Sequence, residues 1–295
     1  MGEENGLESG YQFMHRLLCA VRDELGVGRP PIVVFNKSHS GSRLLAKALA
    51  VAGVFMGAYR NDSEDAMDIA DLVFYLIRQY YPDYSRLWRD GELRDTALAG
   101  LIRDAARRHL AGFDARAHRP WGWKLGETAY VVPVIDFLFP AAKFIHVIRD
   151  GRDVAFCDHH APGDALWKKI YFDTPHIATW RGYALSGTGY RNRSYLYNAL
   201  HWVNSVRIGR AYGAMLRERY LEVRYEDLCT NFSETMARVL DFAELTTPDG
   251  FAAELQAHVR TDSIGKYRRH PWWQLRRVLA IEKPDLLSLG YLPPE

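Results

Sequence analysis

The chain has 295 residues, 48% of them hydrophobic, 13% aromatic and 25% charged, which is enough apolar content for a substantial core and excludes a disordered or fibrous protein. Its formal net charge of +2 does not demand a nucleic-acid partner, so charge matters here by placement. The three cysteines, Cys19, Cys157 and Cys229, show no Cys-x-x-Cys spacing, which argues against a zinc site or a disulfide framework and for a reducing compartment.

Leu7 to Leu25 reads as an amphipathic helix interrupted by His15, Arg16, Arg22, Asp23 and Glu24. It has the character of neither a signal peptide nor a membrane span, and the expected location is the cytoplasm. Pro30-Pro31 then introduces Ile32-Val33-Val34-Phe35, a short β-branched run suited to a buried parallel strand. Leu44, Leu45, Ala48, Leu49 and Val51 recur at helical spacing until Gly53. Between strand and helix lie Lys37, Ser38, His39, Ser40, Gly41, Ser42 and Arg43. A strand-to-helix turn presents unpaired N–H groups and the positive end of a helix dipole, and here cations, hydroxyls and a glycine surround it. That is an anion site for phosphate or sulfate. It is not a Walker A loop, because a single glycine is followed by Ser-Arg rather than Lys-Ser/Thr.

The acidic turn Asn61-Asp62-Ser63-Glu64-Asp65 reads as an N-cap region for a helix carrying Ile69, Leu72, Val73, Leu76 and Ile77. A second helical pattern runs from about Leu93 to Leu110, with Arg103, Arg107 and Arg108 on its solvated face. Trp121 to Lys124 is a short strand, and Leu125-Gly126-Glu127-Thr128 a turn with a carboxylate. Val131 to Phe139 is a helix, and Lys143 to Arg149 a strand running into a further helix at Asp150-Gly151-Arg152-Asp153. Arg149 thus stands at a strand C-terminus, where ligands of open α/β sheets gather, although Asp150 or Asp153 would also serve as a structural partner.

From Asp158 to Tyr197, aromatic residues, Gly, Pro and Arg mix without periodicity, as in a lid or acceptor-binding excursion; His159 and His160 lack a third ligand for a metal. Helix returns over Leu196 to Leu216, a strand over Tyr220 to Tyr225, and helices over Phe232 to Phe242 and Phe251 to Val259. The segment 260–269 is basic and turn-like, and Ile281 to Tyr291 closes the chain. Strands alternating with helices predict one α/β domain over residues 1–295, a three-layer α/β/α arrangement around a mainly parallel sheet.

In this order the segments resemble the sulfotransferases that use 3′-phosphoadenosine 5′-phosphosulfate (PAPS). His39-Ser40-Gly41-Ser42-Arg43 resembles the family's 5′-phosphosulfate loop, Lys/Arg-Ser-Gly-Thr/Ser-Thr/Ser. Val147-Ile148-Arg149-Asp150-Gly151-Arg152-Asp153-Val154 resembles its 3′-phosphate segment, and Tyr225-Glu226-Asp227-Leu228 its Tyr-Glu-Asp-Leu strand end, whose tyrosine lies by the adenine. Arg260 and Gly265-Lys266-Tyr267 are similar to the late segment that returns to the 3′-phosphate, with Ser263, Lys266, Tyr267, Arg268 and Arg269 as further nucleotide contacts. The departures fall on important positions. His39 replaces the usual catalytic Lys or Arg, with Lys37 two residues earlier; Leu44 replaces a Trp; Cys157 replaces a phosphate-binding Ser; and Thr261-Asp262 replace Lys-Gly. Lys124-Leu125-Gly126-Glu127 stands where cytosolic members carry Lys-Thr-His, and other branches use a glutamate base.

The resemblance implies in-line sulfonate transfer from PAPS to a hydroxyl or amine of a small-molecule or carbohydrate acceptor, without a metal and with 3′,5′-ADP as product. Lys37 or His39 would face the sulfonate together with Lys124, Arg149 and Arg260 would hold the 3′-phosphate, and Glu127 would be the base, with Asp158, His159 and His160 in reserve. A metal-dependent nucleotide kinase or NTPase, or a non-catalytic binder of sulfated or phosphorylated ligands, would use the same loop. A homodimer is compatible with all of these readings.

Overall fold

The computed structural model describes Ala20 and residues 29–84, 96–114, 120–157 and 194–294. Strands β1 (Ile32–Asn36), β2 (Gly122–Lys124), β3 (Lys143–Ile148) and β4 (Tyr220–Arg224) form a sheet of order β2-β1-β3-β4, parallel at every pairing. Every residue of β1 is buried, which is why its sequence is apolar without alternation. The alternation survives in the choice of partner. Val33 and Phe35 pack on one face, with Phe144, α2 (Met67–Tyr80), α3 (Thr96–His109) and α4 (Val132–Leu138). Ile32 and Val34 pack on the other, with Ile145, Val147, α1 (Ser42–Val51) and α8 (Phe232–Phe242). Each such buried side chain contributes about 1.5–3 kcal/mol relative to exposure.

A third apolar cluster joins α5 (Gly151–Ala155), α6 (Ser194–Leu216) and α10 (Trp272–Ser288) beyond the end of β3. Between α6 and α10 lie α7 (Tyr225–Thr230), α8 and α9 (Phe251–Leu255), followed by short 3-10 turns over Thr261–Ser263 and Lys266–Arg269. Buried His146, in β3, is a packing residue: its Nδ1 lies 2.8 Å from the Tyr220 hydroxyl, and burial pushes the imidazole down to about 3.

Several expectations change at their edges. The acidic turn does not cap α2 with a side chain; Ala66 occupies the cap position, and Asp65 turns instead to Lys124. The closing stretch from Ile281 belongs to a helix that begins earlier, at Trp272, with Pro271 as its N-cap, and continues through Pro284. Glu127 sits in a 3-10 turn, Gly126–Tyr130. The helix expected over Leu7 to Leu25, apart from Ala20, and most of the excursion from Asp158 to Tyr197 lie outside the described residues. No helix among the described residues is long and apolar enough to cross a membrane.

Candidate active site

All the parallel strands end at one edge of the sheet, so Asn36, Lys124, Arg149 and Tyr225 converge above it. Between β1 and α1 the chain turns through His39 and Gly41, both left-handed at φ 69° and 80°. Gly41 is required twice over, because a Cβ there would also collide with the Tyr225 ring. The first-turn N–H groups of α1, Ser42 and Arg43 among them, have no intrahelical acceptors. Ser40 is buried and its Oγ has no hydrogen-bond partner.

Arg149 ties this loop to the late segment. Its Nη1 donates to the His39 carbonyl at 3.0 Å, its Nη2 donates to the Ser263 carbonyl, and its guanidinium lies 4.9 Å from the centre of the Tyr225 ring. Nη2 also stands 3.5 Å from the Asp153 carboxylate, which accepts the N–H groups of Gly265 and Tyr267 at 2.8 and 2.9 Å. Arg149 is thus paired with Asp153 and at the same time lines the cavity. Arg149 Nε remains buried without a partner beside the cavity. The Tyr225 hydroxyl donates to the Arg260 carbonyl at 2.9 Å.

These elements surround a cavity of about 890 Å³. Its lining includes His39, Arg43, Lys47, Arg149, Arg260, Lys266 and Arg269 together with Ser63, Asp65, Lys124 and Glu127, and Arg43 Nη1 donates to the Asp62 carbonyl at 3.3 Å. Ser38, Gly41, Ser42, Cys157, Tyr225 and Ser263 complete the lining among the expected residues. Lys37 and Ser40 are buried beneath the loop and do not line the cavity, although the Lys37 ammonium interacts with both Cys157 and Glu127. Burial lowers its pKa to about 8, and those two neighbours act the other way. Burial raises the Glu127 carboxyl and Asp65 adds to the rise, while the Glu127 backbone, Lys124 and Lys37 oppose it. The Cys157 thiol is likewise raised by burial, against the pull of Arg149 and Lys37.

Tyr267 and Arg268 do not reach the cavity: the Tyr267 ring is covered by the guanidinium groups of Arg152 at 4.3 Å and Arg268 at 5.3 Å. Asp158, His159 and His160 lie outside the described residues. Sequence reasoning missed Asp65, Lys47 and His270 as cavity residues. Lys47 was recoverable, being one helical turn beyond Arg43. Among the described residues no group of three or more His, Cys, Asp or Glu is placed to hold a metal.

A family model described as "Sulfotransferase family" matches residues 13–249. The chain belongs to the sulfotransferase family. Among solved structures, this sulfotransferase is similar to the sulfotransferase domain from the Synechococcus PCC 7002 olefin synthase, with 13% identity, a TM-score of 0.51 and coverage of 91% of this chain and 97% of the other. It is also similar to sulfotransferase STF9 from Mycobacterium avium, with 12% identity, a TM-score of 0.50 and coverage of 95% and 83%. Both likenesses bear on the fold alone. A search of curated proteins found no match.

Proposed function

We propose that this sulfotransferase moves the sulfonate of PAPS to a hydroxyl or amine of a small-molecule or carbohydrate acceptor. The observation that carries the reading is the lining of one cavity at the strand ends, where Arg43, Lys47, Arg149, Arg260, Lys266 and Arg269 meet the Lys124–Asp65 pair and Glu127. A doubly phosphorylated nucleotide would suit this lining. Its cations outnumber the carboxylates of Asp65, Glu127 and Asp153, the last of which Arg149 and two backbone N–H groups already engage, and Arg149 Nε is a buried donor without a partner.

Arg149, Arg260 and Lys266 would hold the 3′-phosphate and Tyr225 the adenine. The N–H groups of the 41–43 turn and His39 would face the sulfonate and the leaving phosphate, with the Lys37 ammonium acting on them from beneath the loop. PAPS supplies an activated sulfonate whose transfer asks the protein for positioning and fixed positive charge rather than covalent chemistry. Glu127 takes the acceptor's proton, and a carboxyl raised by partial burial is closer to the operating pH of a general base. The test is incubation with radiolabelled PAPS and pools of phenols, sugars, amines and peptides. Label on an acceptor with release of 3′,5′-ADP supports the proposal; tight 3′,5′-ADP binding with no transfer to any pool would favour a non-catalytic binder.

A further inference from the structure

Trp272 and Trp273 are 71% and 48% exposed, an adjacent pair of the largest apolar side chains left in solvent at the start of α10. At helical spacing, Arg276 lies four residues after Trp272 and three after Trp273, so the indoles and this exposed arginine share a face. Upstream, Arg268 and Arg269 are exposed as well. Between Asp262 and Glu282 the sequence contains no acidic residue, while Lys266, Arg268, Arg269, Arg276 and Arg277 all fall there. The patch adjoins the cavity: His270 stacks on Phe156 with ring centres 3.9 Å apart, and both line it with Arg269.

We propose that this face is a peripheral docking surface for an anionic lipid bilayer. Indole rings settle at the headgroup level, where an apolar body and a polar N–H are both accommodated, and arginines beside them meet lipid phosphates. No helix among the described residues spans a bilayer, so the contact is interfacial. The charge complementarity is local. A net charge of only +2 over the whole chain does not provide the broad positive field by which nucleic-acid binders track a backbone. A two-fold contact between copies would set the same arginines against one another. Docking in this way would bring the cavity wall at Arg269 and His270 beside the headgroups.

The experiment is sedimentation of the full chain with phosphatidylcholine vesicles, with and without about a quarter of phosphatidylglycerol, at about 0.1 M salt. The expected result is binding to the anionic vesicles alone. It should weaken about tenfold or more in the Trp272→Ala/Trp273→Ala variant and in Arg276→Glu, with melting temperature and 3′,5′-ADP affinity unchanged. Failure of the folded wild-type chain to bind anionic vesicles overturns the proposal, as does equal binding by the double tryptophan variant. Loss of a dimer in that variant on gel filtration, or displacement of the chain from vesicles by an equimolar single-stranded oligonucleotide, would assign the face to another partner. Neither outcome touches the transfer reaction, which is read separately.

Discussion

Asp65 Oδ1 stands 2.6 Å from Lys124 Nζ, and the same ammonium donates to the Ser63 carbonyl at 2.8 Å. The turn that delivers Asp65 is built by Asn61, whose Oδ1 accepts the N–H groups of Ser63 and Asp65 at 2.9 Å each, and Ala66 N–H then donates to the Lys124 carbonyl at 2.8 Å. The Lys124 side chain is 6% exposed and that of Asp65 23%, so the pair is only partly screened by solvent. Asp65 also raises the proton affinity of Glu127.

For Asp65→Asn, removing this negative charge lowers the Glu127 pKa and releases Lys124 to lower it further. A base works only when deprotonated, so the acidic limb of kcat/KM against pH should move to lower pH, while 3′,5′-ADP affinity stays near wild type. A limb that stays in place, whatever the loss in rate, would leave Asp65 with a structural role only.

Glu127→Gln keeps the shape of the side chain but cannot accept a proton. Turnover at saturating PAPS should fall by about a hundredfold or more. Calorimetry should show nucleotide binding intact. If the carboxylate merely orders the 3-10 turn, the melting temperature will drop and turnover of the folded fraction will remain near normal.

Lys37 is charged below its lowered pKa of about 8 and loses that charge above it. If its ammonium stabilises the leaving phosphate, activity should decline as pH rises through about 8, and Lys37→Arg should carry that limb upward. Lys37→Ala should depress turnover far more than it weakens binding of 3′,5′-ADP, which lacks the sulfonate, while His39→Ala should be mild. The reverse ranking would give the role to His39, with activity following the imidazole proton.

Arg149→Ala removes two donors that join the loop at His39 to the segment at Ser263 and, on the proposed function, a charge-assisted contact to the nucleotide. Affinity for 3′,5′-ADP should fall by about tenfold to a hundredfold without added metal, and the melting temperature should fall with it. Arg149→Lys keeps the charge but cannot reach both carbonyls from one planar fork, so it should recover only part of either loss. Calorimetry and thermal melts on the same samples decide; unchanged affinity in the Ala variant would remove Arg149 from the 3′-phosphate site.

The two central strands were legible because each is short, largely apolar and punctuated: Ile32-Val33-Val34-Phe35 follows Pro30-Pro31, and Phe144 to Ile148 ends at Arg149-Asp150-Gly151. Strand ends of a parallel sheet point the same way, so listing the residues that follow β1, β2, β3 and β4 was enough to nominate one side of the molecule. The closing helix was less legible. Its first turn exposes Trp272 and Trp273, so an inward periodicity does not begin until Val278, and Pro284 reads as a breaker although it sits inside α10.

By itself the sequence determined the α/β alternation, the glycine that the turn before α1 requires, and the small set of polar residues at strand ends, since each depends on neighbours within a few positions. Tertiary structure alone decided which of those polar groups meet. Asp65 and Lys124 are 59 residues apart, and Arg149 and Ser263 are 114 apart. Local spacing does not encode such distances; they close only when β1, β2 and β3 pair in register and the late segment folds back over Tyr225. That same closure sinks Lys37 beneath the loop and leaves His39 above it, an inversion of exposure between residues two positions apart that no pattern of residue types distinguishes.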